Sequence, residues 1–317
     1  MKQLLVIGGT GFFGKSILDA YRRGLLAPWN ISNLILMARN TDKLLDEVPH
    51  LLGEGVEILS ADIATAKTIP LADYVIHAAA STDVRDYLSK PDQEKANILA
   101  GTLNFCSLAT QFLKSSKILY VSSGAVYGAQ PPNLCQINED FSVTDFKGMS
   151  DGKVDYAIAK KDAESAIKGL ANDGFQVSIA RCFAFVGPWL PRDQHFAIGN
   201  FIDDILKHNR IKVKAKGKVF RSYMYADDLV VWLMKICDDA SAECHTYNVG
   251  SDDVWDLAVL AEALSSNYGL SISASEYRDD SVDRYVPSIE KAKVNLGLRL
   301  SHNTLNSVLE TIEILKK

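Results

Sequence analysis

Long hydrophobic runs are missing from this sequence. None approaches the roughly 20 apolar residues that a membrane-crossing helix needs, so no membrane span is expected. Positive charge is not in excess either. Lys and Arg total 34 against 39 Asp and Glu, a net charge of −5, so no surface for nucleic acid or an anionic membrane is expected. The five cysteines, Cys106, Cys135, Cys182, Cys237 and Cys244, never fall in CxxC spacing. An odd, scattered set in a chain this long suggests reduced thiols in a cytoplasm rather than a disulfide framework. The six histidines are scattered as well, and no metal site is expected. The amino terminus, MKQLLVIGGTG, has one lysine before a short apolar run and no cleavage pattern. It reads as a strand entering a glycine turn, not as a secretory leader. No internal repeat and no low-complexity tract occur.

What is present is ordinary globular composition, 47% hydrophobic and 23% charged. A length of 317 residues suits a large domain with a smaller one. Short continuous apolar runs, expected of buried parallel strands, occur at Leu4–Ile7, Leu34–Met37, Val56–Leu59, Tyr74–Ala78, Lys117–Val121 and Val177–Arg181. Helical patterns fall between them, notably Asp92 to about Leu113 and Tyr156 to about Leu170. This alternation predicts an α/β fold with a doubly wound parallel sheet of Rossmann type over residues 1–180. Beyond Gly187-Pro188 the rhythm becomes irregular. Residues 181–317 read mainly as a smaller α/β substrate-binding lobe, some segments interleaved with the first domain. Short strands are expected at Val213, Tyr223–Tyr225 and Tyr247–Val249, and helices at about 197–208, 227–238, 256–267 and 304–315.

GGTGFFG sets Gly8, Gly11 and Gly14 at three-residue intervals between a strand and a helix. Glycines let the backbone turn tightly and approach a pyrophosphate, and the helix start offers N–H donors. Gly8, Thr10, Gly11, Phe12, Phe13 and Gly14 are therefore cofactor-binding candidates. The second strand ends Ala38-Arg39, where an acidic residue would hold the ribose of NAD. Arg39 could instead grip a 2′-phosphate, which favours NADP and leaves NAD possible. A solvent-facing arginine would read the same. Asp62, next to Ile63, could meet the adenine amino group or cap a turn. Ala78, Ala79 and Ala80 offer little bulk, as a cofactor lying across strand ends or a tight core turn would require.

YAIAK places Tyr156 four residues before Lys160, on one face of a helix. A nearby ammonium favours the phenolate, so Lys160 is expected to lower the Tyr156 pKa. The fifth strand runs into Ser122-Ser123-Gly124-Ala125, at the strand end where ligands of open α/β sheets bind. Tyr156 could exchange a proton with a substrate oxygen that Ser123 hydrogen-bonds.

Together GGTGFFG, HAAA at His77, SSGAVYG, YAIAK, RCFAFVGP, RSYMYADDL and DRYVPSIEKAKVNLG resemble the extended short-chain dehydrogenase/reductase family, in particular its nucleotide-sugar branch. The resemblance spans nearly the whole chain. It implies a catalytic trio of Ser123, Tyr156 and Lys160, with Tyr156 and Lys160 also touching the cofactor. It implies that Arg221 and Arg284 bind the diphosphate of a nucleotide sugar, and that Phe196, Asn200 and Phe201 lie near that ligand. Ser81, Thr82, Ser123, Gly124 and Ala125 are candidates for touching the sugar, and a homodimer through the helices at about 95–112 and 156–170 is implied. The alternatives are salt bridging for the arginines, packing for the aromatics and helix capping for Ser81 and Thr82. One departure matters. Sugar 4,6-dehydratases carry an acidic pair just after the catalytic serine or threonine, and the related glucuronate decarboxylases also use an acidic residue here. This chain has Gly124 and Ala125. Ala184 likewise stands where many relatives have an asparagine.

The expected activity is NADPH-dependent reduction of a nucleotide-linked 4-keto(-6-deoxy) sugar. The alternative is a 4-epimerase with tightly bound NAD, and a non-catalytic NADP-sensing scaffold is more distant.

Overall fold

A computed structural model of the protein describes residues 1–80, 90–142, 146–149, 151–192, 196–215, 217–274 and 280–317. They form two compact units. One comprises Met1–Val126, Ser150–Cys182 and Val230–Tyr247, the other Tyr127–Met149, Phe183–Leu229 and Asn248–Lys317.

The first unit is built on a seven-stranded sheet. Its strands are β1 (Lys2–Ile7), β2 (Ile31–Ala38), β3 (Val56–Ser60), β4 (Tyr74–His77), β5 (Lys117–Ser123), β6 (Gln176–Cys182) and β7 (Thr246–Val249). The spatial order is β7-β6-β5-β4-β1-β2-β3. Every pairing from β3 to β6 is parallel. All four residues of β4 are buried, and Tyr74, Val75 and Ile76 give the short apolar run expected of a buried parallel strand. Three helices matter for the site: α1 (Phe12–Arg22), α2 (Pro91–Phe112) and α3 (Asp151–Asn172). Phe105 and Leu108 of α2 and Ala159, Ala163 and Ile167 of α3 share one core with Leu5, Val75, Ile118 and Tyr120 of the sheet. Each fully buried large side chain there contributes roughly 1.5–3 kcal/mol. Small Ala159 and Ala163 sit one turn apart on α3, which lets its backbone approach β5 and β6 closely.

In the second unit the strand Lys218–Arg221 lies between Trp255–Asp256, antiparallel, and Val282–Tyr285, parallel. Phe185–Val186 pairs in parallel with Met224–Tyr225. The helix Leu257–Tyr268 starts where Asp256 accepts the Ala258 N–H at 2.8 Å and ends at Gly269 in the left-handed region. Among the described residues no helix is long and apolar enough to cross a membrane.

Candidate active site

The glycine turn joins β1 to α1. Gly8 has φ +99°, and a Cβ there would lie 2.8 Å from the Ala78 carbonyl oxygen. A Cβ on Gly14 would run into the Gly9 carbonyl. Packing within the chain demands both glycines. Gly11 differs, because a Cβ there would meet only the Gly8 carbonyl oxygen, at an ordinary 3.5 Å. Gly11 is the N-cap of α1 and is exposed. The cap makes no side-chain hydrogen bond, and the first turn carries no acidic residue. This cradle fits the pyrophosphate of a dinucleotide: the helix start is positive and its approach is open. Phe12 and Phe13 begin the helix with their rings edge to face, 5.7 Å apart, and Thr10 sits in the turn before them.

The neighbouring strand ends supply the other cofactor candidates. Ala38 closes β2, and Arg39 follows it, exposed. Asp62 caps a local turn, its Oδ1 accepting the Ala64 N–H at 2.9 Å. Ile63 is buried against the core, and its carbonyl accepts from Asn104 Nδ2 at 2.7 Å. Ala78 continues from β4 and donates its N–H to Ile7 at 2.8 Å; Ala79 and Ala80 follow, packed in part on the core. Ser81 and Thr82 lie outside the described residues.

The proton-transfer candidates meet where β5 ends. Ser123 is the last residue of β5, which runs two residues beyond the expected strand. The Ala125 N–H donates to Ser123 Oγ at 3.2 Å, and a Ser123 hydrogen bond reaches the Tyr156 phenol. Lys160 is only 2% exposed and donates to the Val121 carbonyl at 2.9 Å and the Tyr120 hydroxyl at 3.4 Å. Burial pulls the Lys160 pKa down to about 8, against the opposing pull of Cys182 and Glu164. Burial pushes Tyr156 up to about 12, which the Ser123 hydrogen bond only partly offsets. The expected lowering of Tyr156 by Lys160 is therefore not what the protein alone shows. The ammonium is spent on Val121 and Tyr120, and loss of water dominates. At neutral pH Tyr156 is a phenol and Lys160 an ammonium.

Sequence reasoning passed over a buried network behind this centre. Glu164 Oε1 accepts from Ser122 Oγ at 2.6 Å and Arg181 Nε at 3.0 Å, and its Oε2 accepts from Arg181 Nη2 at 2.8 Å. Its signal was visible, because Glu164 repeats the four-residue spacing of Tyr156 and Lys160 on the same helix. His77 was quoted only as part of a motif. It is buried edge to face against Phe105 and Tyr120, ring centroids 4.8 and 5.5 Å away.

The remaining candidates belong to the second unit. Arg221 and Arg284 stand on adjacent parallel strands. Arg221 Nη2 donates to Asp283 Oδ2 at 2.7 Å and its Nη1 to the Phe220 carbonyl at 2.8 Å. The Arg284 guanidinium lies 4.0 Å over the Phe220 ring, with Nε donating to the Pro132 carbonyl at 2.9 Å. Phe196 is the N-cap of the helix Ala197–Leu206 and Asn200 lies in its first turns, both partly exposed, whereas Phe201 is buried. Among the described residues no group of three or more His, Cys, Asp or Glu could hold a metal ion.

A parallel sheet with a glycine turn opening its first helix, and a Ser-Tyr-Lys cluster at the strand ends, defines an NAD(P)-dependent enzyme of the extended short-chain dehydrogenase type. The chain belongs to the NAD-dependent epimerase/dehydratase family, whose sequence profile matches residues 4–250. It is 26% identical over 299 residues to UDP-glucuronic acid decarboxylase 1 of Xenopus tropicalis, covering 93% of this chain and 68% of that protein. It is 27% identical over 271 residues to GDP-6-deoxy-D-mannose reductase of Pseudomonas aeruginosa, covering 83% and 79%. Its fold matches that of UDP-glucose 4-epimerase from Thermotoga maritima, with a TM-score of 0.80 at 19% identity over 99% of this chain and 98% of that one. It also matches the NAD-bound dTDP-glucose 4,6-dehydratase of Streptomyces venezuelae, with a TM-score of 0.79 at 17% identity over 99% and 97%.

Proposed function

We propose that the protein is a reductase that uses NADPH to convert the ketone of a nucleotide-linked 4-keto(-6-deoxy) sugar to an alcohol. The observation that carries this reading is the pair Gly124-Ala125 in the turn directly after Ser123. Neither side chain can transfer a proton. The acid–base pair that the dehydratase resemblance puts there, and the acidic residue of the decarboxylases, are both absent from it. The chemistry left to Ser123, Tyr156 and Lys160 is hydride transfer coupled to one proton. Tyr156 is a phenol at neutral pH, the form that can give a proton to a ketone oxygen.

Bound NADPH supplies the hydride that adds to the ketone carbon. Ser123 donates a hydrogen bond to the ketone oxygen, and Tyr156 gives that oxygen its phenolic proton, leaving an alcohol. Lys160, one helical turn away, would stabilise the phenolate by giving up its contacts to Val121 and Tyr120, until solvent returns the proton. Gly8, Thr10, Gly11, Phe12, Phe13 and Gly14 would cradle the pyrophosphate, and Asp62 and Ile63 would flank the adenine. Ala78, Ala79 and Ala80 would leave room across the strand ends. Ala38 in place of an acid, with Arg39 exposed beside it, supports a 2′-phosphate and hence NADPH. Arg221 and Arg284 offer guanidinium groups suited to a diphosphate, and Phe196, Asn200 and Phe201 would border the nucleotide sugar.

The test is to denature the purified protein, identify the released nucleotides by mass spectrometry, and follow NADPH consumption with 4-keto-6-deoxy sugars on different nucleotide carriers. NADP(H) without NAD, and turnover with such a sugar, is the expected result. Tightly held NAD with no net cofactor use would overturn the reading and make the protein a 4-epimerase, which needs the same three side chains.

A further inference from the structure

The end of β5 overhangs its neighbour. Among the described residues β4 pairs with β5 only as far as Tyr120, which stands opposite His77. Val121, Ser122 and Ser123 run on, paired to Ala180, Arg181 and Cys182 of β6. On one flank, then, the backbone that carries Ser123 lacks the support of a strand ladder from β4.

α3 grips this overhang at three points. Tyr156, Lys160 and Glu164 stand four residues apart, along one face of the helix. Tyr156 meets Ser123 through the hydrogen bond described above, and the Lys160 amine donates to the Val121 carbonyl at 2.9 Å. Glu164 Oε1 accepts from Ser122 Oγ at 2.6 Å, with both residues buried. The first two contacts change during the reaction, since Tyr156 gives up its proton and Lys160 leaves Val121. The contact between Ser122 and Glu164 takes no part in it and can persist throughout. Its acceptor is fixed in turn, because Arg181 Nε donates to Oε1 at 3.0 Å and Nη2 to Oε2 at 2.8 Å. A hydrogen bond to a carboxylate is about twice as strong as a neutral one, and Arg181 offsets the cost of burying that charge.

We propose that Ser122 is a positioning residue: its hydroxyl, anchored on Glu164, holds the overhanging end of β5 where Ser123 meets the Tyr156 phenol. This rests on the reading of Ser123 and Tyr156 as partners in proton transfer. Ser122 itself touches neither substrate nor cofactor in that mechanism, and acts through the backbone of the residue that follows it.

The test needs no substrate. The protein is prepared with tyrosine labelled with 13C at Cζ, the ring carbon whose NMR shift reports on hydrogen bonding of the phenol. The Tyr156 signal is identified by its loss in Tyr156→Phe, and Ser123→Ala gives the displacement that marks a lost Ser123 contact. Ser122→Ala is expected to displace the Tyr156 signal in the same direction, whereas Ser122→Thr, which keeps the hydroxyl, is expected to leave it at its native position. If Ser122→Ala fails to fold, Glu164→Met with Arg181→Met removes the acceptor and its counter-charge together and is expected to act as Ser122→Ala does. A Tyr156 signal that stays native in a folded variant lacking the contact, or one displaced equally by Ser122→Thr, overturns the proposal and leaves Ser122 a packing contact alone. In the NADPH assay Ser122→Ala should lower kcat roughly tenfold with KM for NADPH unchanged, the mark of a displaced reacting group. Failure of the reductase reading would appear in that assay for the native protein and leave the tyrosine spectra unchanged.

Discussion

Tyr156 and Lys160 are moved by the same force in opposite directions. Loss of water penalises the phenolate of one and the ammonium of the other, so one pKa rises to about 12 and the other falls to about 8. The first ionisation met as pH rises is thus that of Lys160. The reductive rate should decline above about pH 8, well below the range of a free tyrosine, in a kcat profile measured where chemistry limits turnover. Tyr156→Phe should lose roughly a hundredfold or more in kcat, while fluorescence titration shows nucleotide binding retained. Arg39→Ala should weaken NADP binding by roughly ten- to a hundredfold, the worth of a charge-assisted hydrogen bond, and barely change NAD binding. His77 gives a separate pH signature. Burial, with the Lys160 ammonium nearby, lowers its pKa from 6.5 to about 3. Between those values the unfolded chain takes up a proton that the folded chain refuses, so stability falls as pH falls below 6.5. The loss from this group at pH 5 is about 2 kcal/mol. Urea unfolding of native protein and His77→Phe at pH 7 and pH 5 should show that difference; parallel losses would count against it.

At the scale of elements, the turn between β1 and α1 separates two demands on glycine. Gly14→Ala would drive a methyl group into the Gly9 carbonyl and should lower Tm as well as nucleotide affinity. Gly11→Ala meets no clash and should keep its Tm while its Kd for dinucleotide rises. Equal effects of both substitutions on Tm would refute the distinction. This turn was legible in the sequence because its spacing is short-range, and so was the Tyr156–Lys160 face of α3. The tie from Glu164 to Ser122 and Arg181 was not, since it depends on a register between β5 and β6 that tertiary packing sets. The sign of the Tyr156 shift was missed for a related reason: neighbours in sequence reveal charges, but they do not reveal how much water the fold removes. Elements with strong apolar runs stood out, whereas the short strands Phe185–Val186 and Trp255–Asp256 carry too few residues for any period to show.

For the whole molecule, the cysteines report opening. None of the five is in a disulfide; Cys135 is exposed, Cys106 is intermediate, and Cys182, Cys237 and Cys244 are buried. Burial also raises the pKa of Cys106 and Cys244 to about 11 and of Cys237 to about 12, which keeps them as unreactive thiols. Alkylation of the native protein at neutral pH should therefore label Cys135 first, with the buried three following only as denaturant is added. Mass spectrometry of the labelled peptides checks the order.

The strand β7 comes late in the chain, Thr246–Val249, yet it sits beside β6, which ends at Cys182. A ribosome making this protein releases β1 to β6 long before their last neighbour is translated. Until then the growing chain carries an unpaired strand edge of the kind that recruits other chains. Premature stops before Thr246 should accordingly yield fragments that need chaperone shelter, and the rate of translation across residues 183–249 becomes a determinant of how much protein a cell recovers.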